Sequence, residues 1–445
     1  MSKLGTYVWQ LPGIESQPLS NSRISRVERL QFAGNRLMVN ALKLAIGVIP
    51  IRRPQLLVGA DATRRLAEAA AERSLKKILI MTTAGMVKRG QAGPLVRALE
   101  LQRITPVIYD GVQPDPTWEV VNDALELLQA EACDGIVALG GGSAMDSAKV
   151  VAVAAANDGK PERLVGYFKG RRKPLPLFAV PTTAGSGSEA TIAAVISDDR
   201  THSKSFVIDS RLTPLAAALE PRLMTGLSPA LTAATGMDAL THAIEAYIGV
   251  IGTTETDRYA REAVQLIFRY LQPACSNGAD LEAREALSIA SYKAGCAFTQ
   301  ASVGYVHAIS HQLGAYYGLP HGLGNAILLP EVLEFCGQSV AEKLAQLAVL
   351  TGLGEESEPE DILAQKFVVH IRYLNRELGV PATVAELRAE DIPGIARRAL
   401  REALLNYPVP RQMGRADCEA LLQGLLVARE PDENDSIDAA LARVA

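Results

Sequence analysis

From Pro54 onward, short apolar runs alternate with helical stretches, and this alternation leaves few folds open. Gln55–Val58, Ile78–Thr82, Pro106–Tyr109, Ile136–Leu139 and Leu177–Val180 read as strands. Helical patterns over about 62–73, 93–101, 118–129 and 144–155 separate them. Strand, helix, strand in this rhythm predicts a doubly wound, mainly parallel sheet. Ala193–Ser197 and Ser205–Asp209 read as a further strand pair. After about Leu227 the β-branched runs stop, and Ala- and Leu-rich helical periodicity continues to the end. The expected fold class is therefore α/β plus all-α. Residues 51–228 form the sheet domain, residues 229–445 form an all-helical domain, and residues 1–50 are an extension. Within the extension, Ile24–Ile51 reads as an amphipathic helix that packs on the body or on a second subunit. Glu355–Asp361 reads as a solvated acidic loop between helices.

The chain has 445 residues and a formal net charge of −4, which gives nucleic acid no basic surface to bind. Its five cysteines are odd in number and widely spaced, with no Cys-x-x-Cys, as expected of buried thiols in a reducing compartment. No apolar run reaches the ~20 residues that span a bilayer. The first 20 residues are polar and broken by Pro12 and Pro18, so no secretory signal is read. The expected location is the cytoplasm.

Three of the six histidines fall in one short window, at His307, His311 and His321. His307 and His311 are four residues apart, on one face of a helix. Pro320 stops that helix, so His321 should begin a new segment turned back toward the same face. Three imidazoles at one point suit a divalent transition metal, or a proton relay beside one. Asp238 and His242 repeat the four-residue spacing on a second apolar helix. A buried carboxylate and imidazole are costly unless they share a partner, and a metal fed by both helices satisfies both pairs.

Two glycine-rich turns follow apolar strands. Gly140-Gly141-Gly142-Ser143 opens a helix, where backbone N–H groups and the positive helix end suit a pyrophosphate. It is not the Gly-x-Gly-x-x-Gly fingerprint of the common dinucleotide fold. Pro181-Thr182-Thr183-Ala184-Gly185-Ser186-Gly187-Ser188-Glu189 offers hydroxyls and glycines to a ribose or phosphate, or simply caps a helix. Two such turns at successive strand ends place a crevice at the carboxyl edge of the sheet.

Gly-Gly-Gly-Ser-x-x-Asp-x-x-Lys from Gly140, Pro-Thr-Thr-x-Gly-x-x-Ser-Glu from Pro181, Gly-Met-Asp-x-x-x-His from Gly236 and Gly-x-x-His-x-x-x-His-x-x-Gly-x-x-x-x-x-Pro-His-Gly from Gly304 occur in this order. In these motifs the chain resembles the iron-dependent, group III alcohol dehydrogenases. The resemblance implies that Asp238, His242, His307 and His321 bind Fe(II), with Zn(II) also suited to the ligand set, and that His311 lies beside the nicotinamide as a proton relay. It implies that Gly141, Gly142 and Ser143 hold the pyrophosphate of NAD or NADP. Thr182, Thr183 and Thr191 would line the adenosine and ribose side, with Lys204 and Leu223 nearby. Phe298 is the expected wall of an alcohol pocket.

The family usually ends its second strand in Thr-Asp, whose carboxylate binds the ribose hydroxyls and repels a 2′-phosphate. Here the pair is Thr82-Thr83, so acceptance of NADP is expected. Asp115 stands where an Asn is common, and Glu220-Pro221 replaces Asp-Pro. The implied activity is reversible hydride transfer between a primary alcohol, or its aldehyde, and NAD(P). A maleylacetate or lactaldehyde reductase, a hydroxy-acid dehydrogenase and a non-catalytic nucleotide- and metal-binding scaffold are the alternatives. The expected partners are a small-molecule substrate and a second copy of the chain, with a dimer common among similar proteins.

Overall fold

The computed structural model describes residues 51–157, 159–198 and 204–426. The amphipathic helix expected over 24–51 thus lies, but for Ile51, outside the described residues, as do residues 427–445. The described residues divide into two compact units, one spanning 51–246 and 253–301, the other 247–252 and 302–426.

Among the described residues, nine strands lie in the first unit: β1 (Gln55–Val58), β2 (Lys77–Met81), β3 (Thr105–Tyr109), β4 (Gly135–Gly140), β5 (Gly166–Tyr167), β6 (Leu177–Pro181), β7 (Ala193–Ser197), β8 (Lys204–Ile208) and β9 (Ala216–Leu219). Six of them form a wholly parallel sheet in the order β1-β9-β6-β4-β2-β3. The other three form a small sheet, β5-β8-β7, in which the expected pair β7 and β8 runs antiparallel.

Helices α1 (Ala62–Ala71), α2 (Ala84–Lys88), α3 (Gly93–Leu101), α4 (Trp118–Ala130) and α5 (Gly142–Ala156) cross between the strands. Successive side chains of a strand point to opposite faces, and the core follows this period of two. Leu79, Met81, Ile136, Ala138, Leu177 and Ala179 pack on one face with α4 and α5. Ile78, Ile80, Val137, Leu139, Phe178 and Val180 pack on the other with α1 and α3. Burial on both faces is what near-continuous apolar strands require of a parallel sheet.

Strands end at β9. Helices α6 (Pro229–Ile248), α7 (Thr254–Ser276) and α8 (Leu281–Ala301) follow. The boundary read near Pro229 thus coincides with the end of the strands, whereas the compact unit runs on through α8. The physical reason is packing: α8 touches both β9 and the turn Ser188–Ala190, so it belongs to the sheet's unit. The buried Arg284 of α8 also donates to the Thr232 hydroxyl of α6 at 2.8 Å.

The second unit is helical: α9 (Tyr305–Tyr317), α10 (His321–Cys336), α11 (Ala341–Leu350), α12 (Glu360–Glu377), α13 (Ile392–Asn406) and α14 (Arg415–Gly424). Gly318 ends α9 in the left-handed region at φ +68°, and Pro320 then precedes the first residue of α10. A left-handed glycine followed by proline is a helix stop. It turns the chain back, so that α10 packs along α9. Leu313, Leu328, Leu333, Leu347, Phe367 and Ile395 are buried between these helices.

Candidate functional site

In the sheet's unit, the order β9-β6-β4-β2 brings the carboxyl ends of four strands side by side. Thr82-Thr83, Gly141-Gly142-Ser143, Thr182-Thr183 and the Glu220–Leu223 segment all follow those ends. The register aligns Gly140 with Pro181, and the Thr182 amide donates to the Gly140 carbonyl at 2.9 Å. A Cβ on Gly141 would stand 3.1 Å from the Thr183 hydroxyl, and one on Gly142 would stand 3.1 Å from Ser186. The two glycine-rich turns therefore touch, and side chains at Gly141 and Gly142 would crowd the gap between them. Gly141 starts α5 with no side-chain cap, so the first turn of this 15-residue helix presents backbone N–H groups and its positive end.

The second turn is fixed from behind. Gly187 has φ +58°, and a Cβ there would lie 2.6 Å from the Ser291 carbonyl of α8. A Cβ on Gly295 would in turn meet the Gly187 carbonyl at 2.4 Å. Backbone therefore packs directly on backbone, which only glycine permits. Lys149, fully buried on α5, donates from Nζ to the Ser188 hydroxyl at 2.9 Å, the Thr191 hydroxyl at 2.8 Å and the Ala193 carbonyl at 2.7 Å. Asp146, one turn earlier, accepts from the Ser188 hydroxyl at 2.6 Å and the Val195 amide at 2.9 Å. Burial pulls the Lys149 ammonium down to about 8, against the opposing pull of Asp146 and Glu189. Burial likewise pushes the Glu189 carboxyl up to about 7. These groups lock α5 to the turn.

The remaining coenzyme candidates fall into two kinds. Thr83 is half-buried at the end of β2 and accepts from the Met86 amide at 3.3 Å, capping α2, with no carboxylate in its place. Leu223, buried, follows β9. Thr191 spends its hydroxyl on Lys149, and Lys204 lies 3.5 Å from the Asp115 carboxylate, so both are engaged by the chain's own groups. Glu220, buried after β9, accepts from the Thr63 amide in the first turn of α1 at 3.2 Å, a structural job that its longer side chain performs.

On α6, Asp238 and His242 are buried on successive turns, with Asp238 Oδ1 3.8 Å from His242 Nδ1. Phe298 of α8 stacks on the His242 ring at 4.3 Å between centroids and 16° between planes. The expected pocket wall is thus a ring that holds an imidazole in place.

In the helical unit, His307, His311 and His321 gather as the four-residue spacing and the Pro320 turn predict. Ring centroids are 6.0 Å apart for His307 and His311, 5.3 Å for His307 and His321, and 5.2 Å for the stacked His311 and His321. Asn325, fully buried one turn after His321, places its Nδ2 3.2 Å from His307 Nε2 and 3.3 Å from His321 Nε2. Two Nε2 atoms within reach of one amide nitrogen mark a single focal point, while His311 turns its Nδ1 to Glu402 at 2.6 Å.

Sequence reasoning missed Asn325 and Glu402. Asn325 carried a signal, since it sits four residues after His321 on the same helix face. Glu402 carried none; it lies on α13, far along the chain from His311, among other charged residues.

Nucleotide-type turns and transition-metal donors in one chain point to the oxidoreductases that join a coenzyme to a metal. Two family models match: "Iron-containing alcohol dehydrogenase" over residues 54–221, and "Fe-containing alcohol dehydrogenase family, C-terminal" over residues 232–426. Alcohol dehydrogenase 4 of Schizosaccharomyces pombe is 46% identical over 273 residues, 61% of this chain and 65% of that protein. Alcohol dehydrogenase 4 of Saccharomyces cerevisiae is 39% identical over 361 residues, 80% of this chain and 93% of that protein. A solved structure of 1,3-propanediol oxidoreductase superposes with a TM-score of 0.81 at 35% identity, over 84% of this chain and 99% of that one. The chain belongs to the iron-containing alcohol dehydrogenase family.

Proposed function

We propose that the protein transfers a hydride between a primary alcohol, or its aldehyde, and a nicotinamide dinucleotide, with one divalent ion held by Asp238, His242, His307 and His321. The donor set carries this proposal: one carboxylate and three imidazoles of the kind that could hold a metal, drawn from a chain with six histidines. The donors fit a first-row ion such as Fe(II) or Zn(II), which takes nitrogen and carboxylate oxygen. Aiming His307 Nε2 and His321 Nε2 at one point supports the same fit. When bound, the ion supplies Lewis acidity to the substrate oxygen and the coenzyme supplies the hydride chemistry.

The chain's own residues do the rest. Gly141, Gly142 and Ser143 receive the pyrophosphate at the uncapped start of α5, and Thr182 and Thr183 border it from the neighbouring strand end. Thr83 stands at the ribose end without the carboxylate that would repel a 2′-phosphate, so NADP is accepted as well as NAD. Phe298 keeps the His242 ring from rotating. His311 moves the substrate proton between the alcohol oxygen and solvent, the general acid–base role an imidazole serves.

Iron is the metal we favour, from family membership. Among the described residues no helix is long and apolar enough to cross a membrane. The proposal extends to a cytoplasmic homo-oligomer; five free thiols, four of them buried, support a reducing compartment.

The test is to strip the purified protein of metal without air, reload it with Fe(II) or Zn(II), and follow coenzyme absorbance with short primary alcohols and aldehydes. Activity should vanish on stripping and return with Fe(II). Full activity in the metal-free protein would overturn the proposal.

A further inference from the structure

Glu402 belongs to none of the motifs that define the site, yet its carboxylate carries three side-chain hydrogen bonds. His311 Nδ1 lies 2.6 Å from Oε1, the Tyr407 hydroxyl donates to the same oxygen at 2.7 Å, and Gln312 Nε2 donates to Oε2 at 3.0 Å. The two partners from α9 are adjacent in sequence, and each holds one oxygen of the carboxylate. The side chain is 13% exposed, which leaves it little water. Burial alone would push the Glu402 carboxyl up. Facing His311, the hydrogen bonds from His311 and Tyr407 and the nearby His307 more than offset this and hold it below the usual glutamate range. The group is a carboxylate at neutral pH.

An ionised carboxylate only accepts hydrogen bonds, so the proton in the short contact belongs to His311 Nδ1. In the neutral ring the lone pair then sits on Nε2. We propose that Glu402 is a positioning residue for the hydride-transfer reaction: it fixes the tautomer and ring orientation of His311, so that Nε2 is the atom that takes and returns the substrate proton. Tyr407 and Gln312 hold Glu402 in turn. This rests on the function proposed above, and it assigns His311 a definite chemical state there. In alcohol oxidation the O–H and C–H bonds break, the C–H electron pair leaves as hydride to the coenzyme, and the carbonyl double bond forms. His311 Nε2 takes the proton and the ring becomes an imidazolium, whose charge faces the Glu402 carboxylate across the Nδ1–H bond. Release of that proton to solvent resets the ring, and aldehyde reduction runs the sequence backward.

A plain structural role would make Glu402 a staple between α13 and α9, and the two roles separate experimentally. The full-length protein, free of metal and coenzyme, is labelled with ¹⁵N-histidine; with six histidines, His311 is assigned from the signal that His311→Gln removes. Wild type should show a protonated, pyrrole-type Nδ1 at His311, and Glu402→Ala should shift population to the other tautomer. In the metal-loaded enzyme Glu402→Ala should lower kcat by ~10–100-fold, the usual effect of losing a histidine's orienting partner, with coenzyme KM unchanged. Glu402→Asp should recover part of kcat. Adding Glu402→Ala to His311→Ala should cost nothing more. If Glu402→Ala does not fold, the isosteric Glu402→Gln replaces it and should give a smaller loss in the same direction.

An Nε2-protonated His311 in wild type, or multiplicative losses in the double variant, would overturn the proposal. Failure of the underlying function would look different: wild type would then turn over no alcohol or aldehyde, while the ¹⁵N spectrum would still decide whether Glu402 sets the ring.

Discussion

Thr83 shows how much one side chain decides. Its hydroxyl accepts from the Met86 amide and caps α2, a job an aspartate performs equally well. Thr83→Asp should therefore fold normally while bringing a negative charge to the position proposed above for the coenzyme ribose. Like charges brought together cost several kcal/mol, and 1.4 kcal/mol is tenfold, so preference should move toward NAD(H) by about tenfold or more. Steady-state kcat/KM with both coenzymes, for wild type and variant, measures the shift. A wild type that strongly prefers NADH would refute the assignment. Thr83 came into view only through the family resemblance, as a departure from its Thr-Asp pair. The three histidines were legible through helical spacing and a proline. Glu402 was not, since its pairing with His311 depends on α13 packing against α9, which no local pattern encodes.

At the scale of elements, apolar period and punctuation worked where side chains differ strongly from their neighbours. The helix expected over 93–101 is α3, Gly93–Leu101, and β1 matches Gln55–Val58 to the residue. By contrast β9, Ala216–Leu219, went unread because Ala-Ala-Ala-Leu holds no β-branched or aromatic residue; its place in the sheet comes from neighbours on both sides. The junction of α5 with the 182–189 turn carries an ionisable group with an unusual sign. Burial raises Glu189 from the ordinary 4.5 to about 7, so the folded state keeps a proton that the unfolded chain releases. Between those values the unfolded state binds fewer protons, and stability falls as pH rises. Glu189→Gln removes this effect. Its melting temperature relative to wild type should climb between about pH 5 and about pH 8, as thermal unfolding at the two pH values would show. A constant difference would mean that Glu189 is already ionised in the fold.

For the whole molecule, an ion that binds only the folded chain stabilises it by mass action. At a free concentration ~100 times Kd the gain is about 2.7 kcal/mol. Adding Fe(II) or Zn(II) to the stripped protein should thus raise Tm by some degrees, and Asp238→Asn should blunt the rise; calorimetry with and without metal checks both. Strand content was legible here, but strand order was not, because parallel neighbours need long crossovers and many orders satisfy the same alternation. That order has a consequence for how the chain is made. Among the described residues, β1 lies at the sheet's edge and pairs with β9 alone, the first of the described strands with the last. Gln55–Val58 must wait for Ala216–Leu219 to be synthesised before it finds its ladder. Until then β1 lacks this partner, and closure of the long-range pairing is a slow, late event in folding.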